Sequence, residues 1–311
     1  MKCYQLLKLR HSRCTQMEDY QVIDGSVMEG GGQVLRMAIS LSCLLRKPIR
    51  ITSIRGGRAQ PGLKAQHLAG LRLVAEMCDG VLTGDAIGSS EVSFRPGQIR
   101  AGDFTAETGT AGSVGLLLQV SLPCAMFAPG PCRLTLRGGT NAAFAPQIDY
   151  TLSVFRPLLQ RFGGDLHCDL KRRGYFPRGG GQVDISVTPV TQLRPVDMLE
   201  SGKLVRVTGI AFAAGKPPRR NDCHKAETAV AELVSSVNAA ACVDQYCQDQ
   251  CVILMALAAG RSRVRTVPPT LHTETAIHIA ETLTEAKFTI EKLGSGDACT
   301  IECIGTGHQR A

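Results

Sequence analysis

Apolar positions recur at helical spacing along residues 33–47, along 61–78, where Asp79 and Gly80 close the segment, and along 110–128. The same periodicity returns at 146–162, ahead of the Gly163-Gly164 stop, and at 225–238, 244–259 and 273–286. Between these lie short runs rich in β-branched residues at 49–54, 91–94, 133–136, 182–187, 204–212, 263–267 and 299–304. Strands and helices interleave throughout, which predicts helices layered on sheets.

Two glycine patterns repeat. The run from Glu29 through Gly30, Gly31 and Gly32 to Gln33 is answered by Arg178 through Gly179, Gly180 and Gly181 to Gln182, and Arg55-Gly56-Gly57 by Arg137-Gly138-Gly139. Glycine at such places lets a backbone turn or come close to a ligand, and the spacings suggest repeated units. Residues 213–221 mix small residues, two prolines and three cations, the composition of an exposed connection and a candidate boundary.

Composition narrows the class. A chain of 311 residues with 44% hydrophobic content buries a large core, and a formal charge of +8 suits an anionic partner such as RNA or a nucleotide. Thirteen cysteines without a CxxC pair or a secretory leader indicate reduced thiols rather than a disulfide framework or zinc site. Cys242, Cys247 and Cys251 are read as one core-facing side of a helix. The longest apolar stretch, 116–128, is too short and too interrupted by Gln119, Ser121 and Pro123 to cross a membrane, so a soluble protein is expected. Residues 1–20 carry four cations before their first acid and are expected to form an unstructured extension.

Several residues suit phosphate chemistry. His272 follows a strand and Pro268-Pro269-Thr270 and opens a helix, where free N–H groups and the helix dipole favour phosphate and a neutral, nucleophilic imidazole. Arg36, Arg55 and Arg58 sit on or beside glycine-rich turns, where guanidinium forks can clamp phosphate oxygens. Gln66 and His67 fall on the helix after Pro61-Gly62. Glu29 precedes three glycines and is placed to reach a divalent cation on nucleotide phosphates, although the spacing is not that of a Walker loop. Tyr246, Asp249 and Gln250, at i, i+3 and i+4, are expected on one helical face that stacks adenine and offers a carboxylate to a metal or to the histidine.

These blocks, in order over roughly 280 residues, closely resemble the RNA 3'-terminal phosphate cyclase family. They run from Ile23–Gln33 through Ile54–Leu63, Gln66-His67, Thr110–Val114, Gly138–Asn141, Ala145–Asp149 and Arg173–Gly181 to Tyr246–Gln250 and Thr270–Thr273. The resemblance implies an α+β fold: a large domain of three similar units, each pairing helices with a four-stranded sheet, at 21–199 and 242–305. It also implies a small inserted α/β module, of which 200–241 is a remnant. By the same resemblance His272 forms a covalent AMP adduct, and Gln119, Pro146, Tyr246, Asp249 and Gln250 line an ATP pocket. Glu29 then serves Mg2+ or Mn2+, and Arg36, Arg55, Arg58, Gln66 and His67 hold phosphates of ATP or of the RNA end. An RNA with a 3'-phosphate as partner and residence in the nucleus are further implications of the resemblance, whereas oligomeric state stays open.

The departure from the family pattern is the short Pro/Arg connection that stands where a βα module is expected. Residues 204–212 and 225–238 resemble that module's first strand and last helix, so an unpaired strand and an uncovered apolar helix face are expected. Two other classes fit less well. Non-catalytic ribosome-assembly relatives lack the nucleophilic histidine, and a transferase of the enolpyruvate type, built from similar repeats, has no use for one.

Overall fold

The computed structural model describes residues 20–208, 222–294 and 296–310. Within them one topology occurs three times: strand, helix, strand, helix, then two antiparallel strands. The first unit consists of β1 (Gln21–Asp24), α1 (Gly32–Leu45), β2 (Ile49–Thr52), α2 (Ala65–Met77), β3 (Val81–Thr83) and β4 (Val92–Arg95). The second consists of β5 (Gly102–Glu107), α3 (Val114–Met126), β6 (Cys132–Gly138), a broken helix, β7 (Leu166–Arg172) and β8 (Gly181–Val187). The third opens with β9 (Asp197–Met198). After an intervening stretch that holds the surface helix α6 (Asp222–Asn238), it continues with α7 (Gln248–Leu257), β10 (Ala259–Thr266), α8 (Leu271–Leu283), β11 (Lys287–Lys292) and β12 (Cys299–Thr306).

Each unit forms its own four-stranded sheet in the same spatial order, β1-β2-β4-β3, β5-β6-β8-β7 and β9-β10-β12-β11. The first two strands of each sheet are parallel and the other pairings antiparallel. All six inner strands fall on β-branched runs apparent in the sequence, whereas the six edge strands do not. The reason is burial: in β8 the inward set Val183, Ile185 and Val187 is shielded from water, whereas the edge strand β11 is exposed at five of its six positions. The 82-residue echo of Arg55-Gly56-Gly57 and Arg137-Gly138-Gly139 falls at similar places, just after the second strand of unit one and at the end of the second strand of unit two. The other echo does not: Gly30–Gly32 lead into α1, and Gly179–Gly181 lead into β8.

Helix α1 lies at the centre, against α2, α3 and α8, and is buried along nearly its whole length. Pro123 interrupts α3, removing the N–H that would close on the carbonyl of Gln119. The helix expected at 146–162 is broken into α4 (Ile148–Tyr150), a π-helical turn (Thr151–Phe155) and α5 (Arg156–Arg161). Pro157, at the start of α5, cannot donate to the preceding turn, which fits the local widening.

The strand expected at 204–212 is absent from its described part. Residues 201–208 are irregular and exposed, including Leu204, Val205 and Val207, and 209–212 lie outside the described residues. Without a neighbouring strand the backbone of 204–208 has no ladder to join. Helix α6 leaves Val230, Leu233, Val234 and Val237 in water along one face. No helix among the described residues is long and apolar enough to cross a membrane. Replacing Val230 with Glu and Val234 with Lys is expected to leave unfolding free energy within about 0.5 kcal/mol while lowering light scattering at high concentration. A large loss of stability on denaturant unfolding would mean that this face is packed.

Candidate active site

The β1–α1 turn brings the first reactive side chain inward. Met28 and Gly30 both take left-handed backbone, at φ 52° and 55°, and the chain folds so that the Glu29 carboxylate lies over Gly31. A Cβ on Gly31 would strike that carboxylate. One on Gly32 would sit 2.7 Å from Nε2 of His67 and 3.0 Å from Nη1 of Arg36. The glycine triplet therefore makes room for the groups that converge on it.

Arg58 pairs through Nη2 with Glu29 Oε1 and donates to the Glu29 carbonyl at 3.0 Å. The other carboxylate oxygen, Oε2, is buried without a hydrogen-bond partner and lies 3.8 Å from Nδ1 of His272. Arg36 is half-buried on α1, with Nη2 donating to Gln33 Oε1 and a shielded Nε unpaired. Burial pulls the Arg36 pKa down, and the carboxylates of Asp249 and Glu29 oppose that pull. The Asp249 carboxyl, also half-buried, is pushed upward by desolvation, against the opposing charges of Arg36 and His272. Glu29, Arg36, Arg58, Asp249 and His272 thus form one electrostatic cluster contributed by the first and third units.

His272 is the second residue of α8, and its side chain is 57% exposed. The cap beneath it is rigid: Thr270 Oγ1 accepts from the Thr273 N–H at 3.2 Å. Buried Gln248 clamps the whole approach, its Oε1 accepting from the Thr270 N–H and the Thr273 hydroxyl, its Nε2 donating to the Val267 carbonyl and to Thr266 Oγ1. Nothing in helical periodicity singles out Gln248. The signal was its place beside Asp249 in the motif Tyr246–Gln250.

His67 receives the Lys64 N–H at Nδ1, which puts the ring proton on Nε2, facing Gly32 and Arg36. Burial first, then the charges of Arg36, Arg55 and Lys64, push its pKa down to about 4. Its neighbour Gln66 accepts the Ser113 N–H at 2.6 Å, at the cap of α3. Arg55 has left-handed backbone and uses Nη1 to bind the carbonyls of Gln60 and Gly62, so that part of its fork closes its own loop.

Beside the cluster lies a cleft bounded by Gln33, Arg36, Gln119, Phe155, Asp249 and Gln250, with Pro123 of α3 also in its lining. Two expected members are not in its lining. Pro146 packs its carbonyl against Gly115, and Tyr246 is half exposed, with its hydroxyl donating to Glu232 of α6 at 2.8 Å. The shared helical face expected for Tyr246, Asp249 and Gln250 does not form. Asp244 Oδ1 accepts the N–H groups of Tyr246 and Cys247, which holds both in a turn before α7 begins at Gln248. The same turn takes Cys242 and Cys247 off the helix that carries Cys251. Among the described residues no group of three or more His, Cys, Asp and Glu side chains is arranged to hold a metal ion. Glu29, with its orphaned buried oxygen, is the carboxylate that suits a cation also ligated by phosphates.

Fold and site together define a three-unit α+β protein with a central cluster of arginines, carboxylates and one accessible imidazole. The chain belongs to the RNA 3'-terminal phosphate cyclase family, whose model matches residues 27–290. It is similar to the RNA 3'-terminal phosphate cyclase of Pyrobaculum aerophilum, 36% identical over 93% of this chain and 99% of that protein. The cyclase of Drosophila melanogaster is 35% identical over 92% of this chain and 96% of its own length. The aligned positions with the first number 347, yet 93% of 311 residues is about 289, so some 58 positions of that relative have no counterpart here. Among solved structures, the enolpyruvyl transferase NikO from Streptomyces tendae aligns with a TM-score of 0.45 at 12% identity, over 93% of this chain and 50% of that one.

Two measurements test the site as built. His67 is kept neutral in the fold and charges freely when unfolded, so stability is full above pH 6.5 and falls as pH drops towards 4, by about 3 kcal/mol in all. His67→Gln is expected to flatten that part of a melting-temperature profile, and parallel profiles would contradict it. Gln248→Leu strands the Thr270 N–H and the Val267 carbonyl and is expected to cost about 2–4 kcal/mol in urea unfolding.

Proposed function

We propose that the chain converts an RNA 3'-terminal phosphate to a 2',3'-cyclic phosphate, using ATP and a covalent AMP adduct on His272. The observation that carries this reading is the meeting of an exposed imidazole with Glu29, Arg36 and Arg58 beside a cleft lined by Gln119, Asp249 and Gln250. Family membership supports the RNA end as substrate class.

In the first step Nε2 of His272 attacks the α-phosphorus of ATP, forming an N–P bond as the bond to pyrophosphate breaks. Glu29 Oε2 lies on the Nδ1 side of the ring, which leaves Nε2 to the ligand. Arg36 and Arg58 offset charge on the phosphates, and Arg36 does so from a largely desolvated position where each opposite charge counts for more. A divalent cation held by Glu29 and the phosphates would supply further charge neutralisation. The purine occupies the cleft, where Gln119 and Gln250 offer amide groups and Pro123 withholds the N–H that would otherwise close on the Gln119 carbonyl.

In the second step an oxygen of the RNA 3'-phosphate attacks the same phosphorus, the N–P bond breaks and the imidazole is restored. The adjacent 2'-hydroxyl then attacks the activated 3'-phosphorus, losing its proton and expelling AMP. Because that nucleophile is already held beside its target, the last step draws on an intramolecular advantage of roughly 7 kcal/mol or more. His67, neutral with its proton on Nε2, is placed as a donor to a phosphate oxygen without adding charge.

We also place the 58 missing positions between β9 and α7, where an inserted module would have covered α6. Mass spectrometry of the chain after ATP and magnesium is expected to find one added AMP, located on residue 272. His272→Ala is expected to abolish the adduct, and Glu29→Gln to slow its formation by roughly 10²-fold. A folded chain that never gains this mass would overturn the transfer chemistry.

A further inference from the structure

Two loops of the second unit expose aromatic rings that the fold does not use. Phe144, between β6 and α4, is 104% exposed, and Phe176, between β7 and β8, is 85% exposed. Phe144 also takes left-handed backbone, at φ 57°, a costly conformation for a bulky residue. A strained phenyl ring wholly in water contributes no packing to offset that cost.

The two loops are fixed side by side. Asn141 and Tyr175 form a β-bridge, and the N–H groups of Thr140 and Asn141 both donate to the Gly174 carbonyl. Arg173 grips both oxygens of Asp149 at 2.6 and 2.7 Å and reaches Asn141 at 3.3 Å. Chain connectivity then keeps the Cα atoms of the two phenylalanines within about 20 Å, a span of a few nucleotides.

The surroundings are cationic. Residues 137–149 and 171–181 carry five cations; Lys171 pairs with Asp169 and Arg173 with Asp149, which leaves Arg137, Arg172 and Arg178. Arg178 is exposed, with no ion-pair partner among the described residues. These loops also run into the active site. A Cβ on Gly179 would sit 3.0 Å from Cα of Ala111, the Gly139 N–H donates to Gly112, and the next residue, Ser113, donates to Gln66 beside His67.

We propose that this surface binds the single-stranded RNA upstream of the 3'-terminal phosphate, its bases stacked on Phe144 and Phe176 and its phosphates facing Arg178 and its cationic neighbours. The proposal rests on the reading of the substrate as an RNA end, and adds where the rest of the strand lies. Stacking on an aromatic face accepts any base, and the cations follow the backbone, so the surface supplies affinity without sequence choice.

The test is fluorescence anisotropy without ATP, on the full chain, with a 5'-labelled single-stranded decaribonucleotide ending in a 3'-phosphate. Phe144→Ala with Phe176→Ala is expected to weaken binding about ten-fold or more at unchanged melting temperature, and Phe144→Tyr with Phe176→Tyr to restore it. Arg178→Gln is expected to reduce the slope of log Kd against log salt by about 0.7. Unchanged affinity of the alanine pair, or an equal loss with the tyrosine pair, would overturn the proposal. AMP uptake in the absence of RNA is measured separately on the wild-type chain. A chain that binds the decamer through both rings but takes no AMP loses the transfer chemistry alone. One that takes AMP but binds regardless of the rings loses only this surface.

Discussion

A largely desolvated guanidinium on the central helix is the constraint around which this molecule is arranged. Arg36 sits on α1, the helix that touches α2, α3 and α8, and a lone cation there would be too costly to desolvate. Its compensation comes from Asp249 on α7 and Glu29 on the turn before α1. The first and third units are therefore held together by an electrostatic requirement as well as by apolar packing. Arg36 keeps an unpaired Nε and Glu29 an unpaired Oε2, so the cluster is not closed on itself, which is the condition a binding site needs and a structural ion pair avoids.

The threefold repetition shows how one scaffold divides this labour. The stretch that leaves the second strand of each unit occupies an equivalent place, yet the first carries Arg55 and Arg58, the second Gly139 to Asn141, and the third Thr270 and, at the start of α8, His272. In unit one the loop supplies charge, in unit three the imidazole, and in unit two a close glycine contact that joins the neighbouring loops. Repetition fixes where the backbone goes, and the side chains at equivalent positions then specialise. The glycine triplet at the start of α1 belongs to this logic, since Gly31 makes room for the Glu29 carboxylate and Gly32 for His67 and Arg36 from two different helices.

Much of the fold was legible because the inner strands are buried on alternating positions and so carry a β-branched signature. The edge strands were not, since one side of each has no neighbour and residues such as Lys287, Glu291 and Lys292 follow solvent rather than a core. His272, Glu29 and the arginines were legible from motifs, and their convergence is a tertiary fact that no local spacing contains. Tyr246 misled because i, i+3 and i+4 describes a helical face only if the helix has begun, and the Asp244 side chain delays that start. Gln248 was missed because an amide's importance lies in its partners, here Thr270, Thr273 and Val267, which are far along the chain.

The surface helix α6 separates what the site needs from what it does not. Every member of the Arg36 cluster comes from the three repeated units, and the cap that presents His272 is clamped by Gln248 from α7, so that geometry closes without α6. A tie from α6 to the site's margin is the hydroxyl of Tyr246 on Glu232, a hydrogen bond between half-exposed groups, worth on the order of 1 kcal/mol. So weak a tie can adjust the position of one ring but cannot organise the buried charges. The apolar face of α6 therefore affects solubility far more than it affects chemistry, because exposed area acts on association between molecules, whereas the cluster is set by desolvation within one.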